Sequence, residues 1–461
     1  MNLTPGVTYE VQVKKGNDLY CTDVTTRSDT FPIGKTTDLG DRSGVVTISE
    51  GGSPNGYHLV TGGTITGGRS GVIIDAPYVI VRGLTIRDPE RHGIELRRNA
   101  HHVVIEGNDV SGWGGIRNDR GFGYNGDAAV YSGPQHSKHI HHITIQNNVL
   151  HDPRSDSNSW REFNPSMSGE GCDPNSGRDN PWCHPEGPQA ITLMGHTGGN
   201  IVIRYNAIFS NYDHMYNDAI GSISGNFGPE GFPGPNSDIY GNFVSHFMDN
   251  GMELEGGGRN VRVWGNHIRG LQVPDTYRNS LGQPISSGID AFGLSAVHIG
   301  PVYLFDNVLD RNERGGTAFK LQSYVKTETP PNWKHRRFGG GAVYVLHNTS
   351  VNWGTIFYGS GKDLTGVISR NNLFEGDTGI GWSQHVIDSS FQNDVHNMEL
   401  SRQVRGIRGR ASFRGDSYQL APGSIGIDQA MRLPNINDCF NGSAPDVGAF
   451  ELGDEQACAG Q

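Results

Sequence analysis

Short apolar stretches alternate with glycine-rich breaks along most of the chain, and two of them recur in fixed frames. The first frame is apolar-x-x-Asn closed by a small or apolar residue. It reads IEGNDV at Asn108, IQNNVL at Asn148, IRYNAI at Asn206, IYGNFV at Asn242 and VWGNHI at Asn266. It continues as LFDNVL at Asn307, VLHNTS at Asn348 and ISRNNL at Asn371. The closest copies are 23 or 24 residues apart, and the other gaps of 36, 40, 41, 41 and 58 leave room for one turn plus an insertion. A period near 23 built from short strands predicts a solenoid. Asparagine suits the turn between two strands of a coil, because it tolerates left-handed backbone angles and its amide can bond the equivalent amide one coil away.

The second frame runs ahead of the asparagine phrases: HGIEL at 92–96, QAITL at 189–193, DAIGS at 218–222, NGMEL at 250–254, SGIDA at 287–291 and TAFKL at 317–321. Strand side chains alternate. The apolar positions Ile94, Ile191, Ile220, Met252, Ile289 and Phe319 are therefore expected to point into the coil. The residues between them are expected to form an outward column of Glu95, Thr192, Gly221, Glu253, Asp290 and Lys320, with neighbours roughly 4.8 Å apart. His92, Gln189, Asp218, Asn250, Ser287 and Thr317 form a second polar column at the strand heads, where strict alternation need not hold.

These frames divide the chain into a cap over residues 1–65, a coil domain over 66–375 and a less regular closing segment over 376–461. The first segment resembles the last strands of a fibronectin-type module. Three polar, turn-rich insertions interrupt the coils at 151–188, 222–237 and 323–340, and the first carries Trp160 and Trp182. Glycine numbers 67 without a collagen period, so these glycines belong to turns. A hydrophobic share of 34% suits a thin stacked core, and no apolar run is long enough to cross a bilayer. The net charge of −11 argues against a nucleic-acid partner. Of the five cysteines, Cys172 with Cys183 and Cys439 with Cys458 are expected to form local disulfides, leaving Cys21 free. Neither pair has CxxC spacing, which disfavours zinc. Disulfides imply an oxidising compartment, and a secreted or periplasmic monomer is expected.

The candidate chemistry gathers on consecutive coils. Asp218 lies in YNDAIGS, and DNGMELEGG adds Asp249, Asn250, Glu253 and Glu255. Asp290 and Lys320 follow on the next two. Like charges at Asp218, Asp249 and Glu253 cost stability unless a cation sits among them, and oxygen donors that include asparagine suit calcium. Arg311 and Arg314 stand near the lysine coil in sequence, and with Glu255 and Trp182 they are the candidate substrate-binding residues.

DNGME at 249–253, Asp218 one coil earlier and AFKLQ at 318–322 together resemble the family 9 pectate lyases. YQLAPGSIGIDQA and APDVGAFE resemble the closing segments of secreted right-handed β-helices. The family has a DDGLD-type calcium segment and a later lysine in a GFKLG-type strand, whereas this chain has Asn250 and Glu253 where the family has aspartates. The resemblance implies an all-β, single-stranded right-handed parallel β-helix that cleaves an acidic polysaccharide by calcium-assisted β-elimination. It assigns calcium to Asp218, Asp249, Asn250 and Glu253, and C5-proton abstraction to Lys320. Asp290 is a further catalytic, calcium or sugar-ligand candidate. Three other readings stay open. A glycoside hydrolase would use Glu253 and Asp290 as its carboxylate pair, about 5 Å apart for retention or roughly 6.5–9.5 Å for inversion. A non-catalytic carbohydrate-binding solenoid would show unbroken coils with aromatic rows. A C5-epimerase would share the proton abstraction of a lyase.

Overall fold

The computed structural model is a right-handed parallel β-helix, in which each coil lays down three short strands and each strand pairs in parallel with its equivalent on the next coil. The structure describes residues 3–453, apart from 117–123, 125, 156, 158–186, 196, 223–230, 255, 257, 272–289, 295–296, 298, 323, 327–334, 338–341, 361–366, 376–397, 400–410 and 416. The first face is an 11-stranded sheet. It includes Val79–Arg82, Val103–Glu106, Ile143–Gln146 and Val261–Trp264. The second and third faces join in a 20-stranded sheet. Asp109–Ser111 and His267–Gly270 belong to the second face. His92–Leu96, Asn250–Glu253 and Asp290–Leu294 belong to the third. Among the described residues no helix is long and apolar enough to cross a membrane.

The parallel stack begins earlier than the sequence frames suggest. Ile33–Asp38 already pairs in parallel with Tyr57–Thr61, so the coils reach back into the expected 1–65 cap. What lies outside them is an antiparallel hairpin of Thr8–Lys15 and Asp18–Thr25. Arg27, just after it, ties it to the barrel wall through an ion pair with Asp238 at 2.6 Å. The insertion expected as a loop at 323–340 contains a second hairpin, Tyr324–Lys326 with His335–Arg337.

Inside, the apolar frame positions stack in rows. Met252 lies in register with Phe292, and Phe292 with Phe319. The Phe292, Phe319 and Phe357 rings stack 5.6 and 5.2 Å apart. A column of small residues runs beside this row one position nearer the strand head: Gly93, Ala129, Ala190, Ala219, Gly251, Ala291 and Ala318. Room decides that column. A Cβ on Gly251 would come within 2.6 Å of Ile268 Cγ2, and one on Gly93 within 2.5 Å of Ala129 O.

The asparagines form a buried ladder between the first and second faces. Asn242 donates its backbone N–H and its Nδ2 to Asn266 Oδ1 at 3.0 and 2.9 Å, and a second Nδ2 bond reaches Ile203 O at 3.0 Å. The same pattern links Asn108, Asn148, Asn206, Asn242, Asn266, Asn307 and Asn348. Two expectations are corrected here. The last rung is Asn372, not Asn371. The left-handed residue is also not the rung itself but the one before it: Gly107 (φ 61°), Asn147 (54°), Tyr205 (56°), His347 (51°) and Asn371 (57°) all occupy that place. Asparagine is therefore selected at the rung for its amide, which satisfies a buried backbone donor, and not for its backbone tolerance.

Cys21 is free and exposed, as expected. Cys172, Cys183 and Cys458 lie outside the described residues, so the two pairings stay proposals.

Candidate active site

The strand heads of the third face make a second polar ladder. Asn250 is in register with Asp290, and Asp290 with Thr317. Asp218 stands one coil before Asn250 and donates its backbone N–H to Gln189 Oε1 at 2.9 Å. Asp218 Oδ1 accepts the Asn250 N–H at 2.9 Å and Asn250 Nδ2 at 3.0 Å, and Asp218 Oδ2 accepts Asn217 Nδ2 at 3.1 Å. These heads are buried: Asp218 is 2% exposed, Asn250 1% and Asp290 8%. The chain turns sharply there, so the head and the residue three further on both face outward while two residues between them face in.

That geometry moves Asp290 out of the column predicted for it. The repeat on this coil is DAFGL at 290–294, so Phe292 takes the core position of the frame, and Ile289, the residue expected there, lies outside the described residues. The outward column runs Glu95, Tyr131, Thr192, Gly221, Glu253, Gly293, Lys320. Gly221 and Gly293 flank Glu253 on either side. A Cβ on Gly221 would come 2.7 Å from Glu253 Cβ, and one on Gly293 2.5 Å from Asn250 Oδ1. The two glycines thus let Glu253 and Asn250 pack directly over the neighbouring strands, where a side chain would collide with them. Sequence reasoning missed Tyr131 and Gly293; AAVYS at 128–132 and DAFGL repeat the small-apolar frame and carry both.

Lys320 projects along this column with its side chain 23% exposed and its Nζ 3.4 Å from Asp290 Oδ2. Lysine bridges the offset between the two columns because its stem is long. Burial pushes the Asp290 carboxyl up to about 6; Lys320 pulls it back, the nearby Asp249 charge raises it further, and a Thr317 hydrogen bond lowers it. Asp249 is half-buried, and its carbonyl accepts the Asp290 N–H at 2.7 Å. Lys320, Asp290, Glu253, Asn250, Asp249 and Asp218 therefore occupy four successive coils of one face.

Other candidates lie elsewhere. Arg311 is 5% exposed and packs its guanidinium 5.2 Å over the Trp353 ring, with Nη2 donating to Leu271 O at 3.3 Å. A side chain buried in that way is a packing element, which corrects its reading as a substrate contact. The Arg314 side chain, Glu255 and Trp182 lie outside the described residues.

The donors available to a cation are all oxygens. Asn250 Oδ1 is the telling one, because it is buried, has no hydrogen-bond partner among the described residues and lies where a side chain on Gly293 would stand. Calcium takes such oxygens at 2.3–2.6 Å. Asp218, Asp249 and Glu253 do not bring one oxygen each within 4.8 Å of one another; among the described residues only a histidine trio meets that spacing. The carboxylates would have to close in around an ion.

No family model matches the chain, and no curated protein matches it. Among solved structures, the chain is similar to the crystal structure of pectate lyase Pel9A, at 14% sequence identity and a TM-score of 0.41, over 93% of this chain and 91% of that one.

Proposed function

We propose that this protein is a secreted, monomeric polysaccharide lyase that cleaves a uronic-acid polysaccharide by β-elimination. The observation that carries the reading is Lys320 in register with Gly293, with the buried, unpartnered oxygen of Asn250 lying over that glycine. Asp218, Asp249, Asn250 and Glu253 would hold calcium. Bound there, the ion would neutralise the sugar carboxylate and the enolate-like charge that grows beside it. Lys320 takes the C5 proton. The C5–H electron pair becomes the C4–C5 double bond as the C4–O bond breaks, and the departing oxygen takes its proton from water. Asp290 receives the new ammonium as an ion pair, since its carboxylate already stands 3.4 Å away. Glu253 and Asn250 would flank the face on which the sugar lies.

One observation favours the hydrolase reading: a carboxyl raised to about 6 is what a general acid needs. The corrected register sets Asp290 and Glu253 three residues apart along neighbouring strands, roughly 10 Å in that direction. This disfavours a retaining pair and leaves only the wider inverting one.

The test follows ultraviolet absorbance at the unsaturated product while pectate, alginate and glycosaminoglycan are offered in turn. Wild type with calcium is expected to produce absorbing products, Lys320→Ala to lose at least a thousandfold in rate with its fold intact, and chelator to stop turnover reversibly. Saturated reducing ends released without absorbance and without regard to chelator would transfer the assignment to Glu253 and Asp290.

A further inference from the structure

Two histidine pairs occupy one corner of neighbouring coils, away from the lysine column. HHVVIE at 101–106 and HHITIQ at 141–146 place them just before first-face strands, and Val103 pairs with Ile143. Pair therefore stacks on pair. The His101 and His141 rings lie 4.9 Å apart at 11°, and those of His102 and His142 4.4 Å apart at 9°. Within each pair the two Nδ1 atoms face each other, at 2.9 Å for His101 and His102 and 2.8 Å for His141 and His142. A single proton serves such a contact, and an ion bound to both rings of a pair would release it. One ring nitrogen each of His101, His102 and His141 lies within 4.8 Å of the other two. Among the described residues this is the group of histidine, cysteine or carboxylate atoms gathered so closely.

The surroundings argue against a merely hydrogen-bonded stack. His102 and His142 sit at φ 52° and 54°, and later coils fill the equivalent left-handed place with Asn200, Asn236 and Asn260. There Asn260 Nδ2 donates to Asn236 Oδ1 at 3.0 Å, so amides suffice to link coils at this corner. Histidine adds a nitrogen lone pair that an amide lacks. Burial lowers the His101 and His141 imidazoles and brings His102 down to about 4, which keeps the rings in their ligating, uncharged form. Tyr78 stacks on His102 at 4.7 Å and walls one side.

We propose that His101, His102 and His141 bind a borderline divalent cation of the zinc class, with His142 orienting His141 from behind. An ion bound at about 2.0–2.1 Å to each nitrogen sets the nitrogens roughly 3.4 Å apart, so small ring shifts complete the site. The ion would clamp two neighbouring coils to each other. The proposal is independent of the lyase reading.

The experiment uses the full, tag-free chain after chelator treatment. It is titrated with Zn2+ by calorimetry, then with Co2+ by visible absorption, and its melting temperature is measured with and without Zn2+. One ion per chain, a tetrahedral cobalt spectrum and a melting temperature raised by several degrees are expected. His101→Ala with His141→Ala should abolish all three. His102→Gln keeps a hydrogen-bonding side chain, serves where the double variant fails to fold, and should weaken binding at least tenfold. Absence of stoichiometric binding in wild type, or binding undiminished in either variant, overturns the proposal.

Discussion

At the scale of single residues, the site rests on two positions whose side chains are absent or muted. Gly293 leaves the place that Asn250 Oδ1 occupies, and a Cβ there would meet that oxygen at 2.5 Å. Gly293→Ala is therefore expected to weaken calcium binding at least tenfold while shifting the melting temperature little, since Asn250 is displaced and the stack is not; calorimetry with Ca2+ reads the first and a thermal melt the second. Asp290 makes the complementary prediction. Its folded value of about 6 lies above its ordinary 3.8, so folding favours the protonated acid. That contribution is complete below about pH 4 and is lost as pH rises through about 6. Asp290→Asn, uncharged throughout, should gain on wild type by up to roughly 3 kcal/mol between pH 4 and pH 7, measured by urea denaturation at both. If the two proteins keep a constant difference in stability across that range, another group carries the charge. Asp290 also shows why its place was misread in the sequence. SGIDA fits the apolar frame as well as DAFGL does, and only the sheet register, with Phe292 over Met252, chooses between them.

At the scale of elements, the asparagine ladder was legible because its chemistry is local. Each rung must satisfy a buried backbone donor, so the same residue returns at the same place. Asn266→Ala would leave the Asn242 N–H and Nδ2 without the Asn266 oxygen that both reach, in a site excluded from water. An expected loss of about 2–4 kcal/mol follows, read as a lowered denaturation midpoint at an unchanged slope. Asn371→Ala serves as the contrast within the same phrase. It removes bonds to His347 and Met431 instead, so its loss should appear at the closing segment and not along the stack. Strand existence and the inward row of apolar residues could likewise be read from period alone. The small-residue column could not be interpreted in advance, because its cause is a collision with side chains on another face, such as Ile268 beside Gly251. Arg311 was misplaced for a related reason: nearness to Lys320 in sequence does not reveal that Trp353 covers it.

At the scale of the molecule, the last coils are closed by contacts from far along the chain. Tyr418 donates to Asp310 Oδ2 at 2.6 Å, where His267 and Arg269 also converge at 2.6 and 2.9 Å. These partners hold the Asp310 carboxyl below its ordinary value against its burial, while burial and the Asp310 carboxylate push the Tyr418 hydroxyl up to about 12. Tyr418→Phe should speed hydrogen exchange and proteolytic cutting around residues 411–421 several-fold while leaving the coils at 92–270 unchanged; equal acceleration throughout would mean that the segment folds as one with the stack. The corners of the coil differ in what they tolerate. Where the ladder runs, two residues always separate the strands, as between Glu106 and Asp109, Gln146 and Val149, and Trp264 and His267. At the next corner the connection ranges from the few residues 88–91 to the stretches 112–127 and 152–188. A segment grafted into that second corner can therefore reshape what reaches Glu253 and Lys320 without altering the phase of a single strand, so the scaffold and its selectivity can be changed separately.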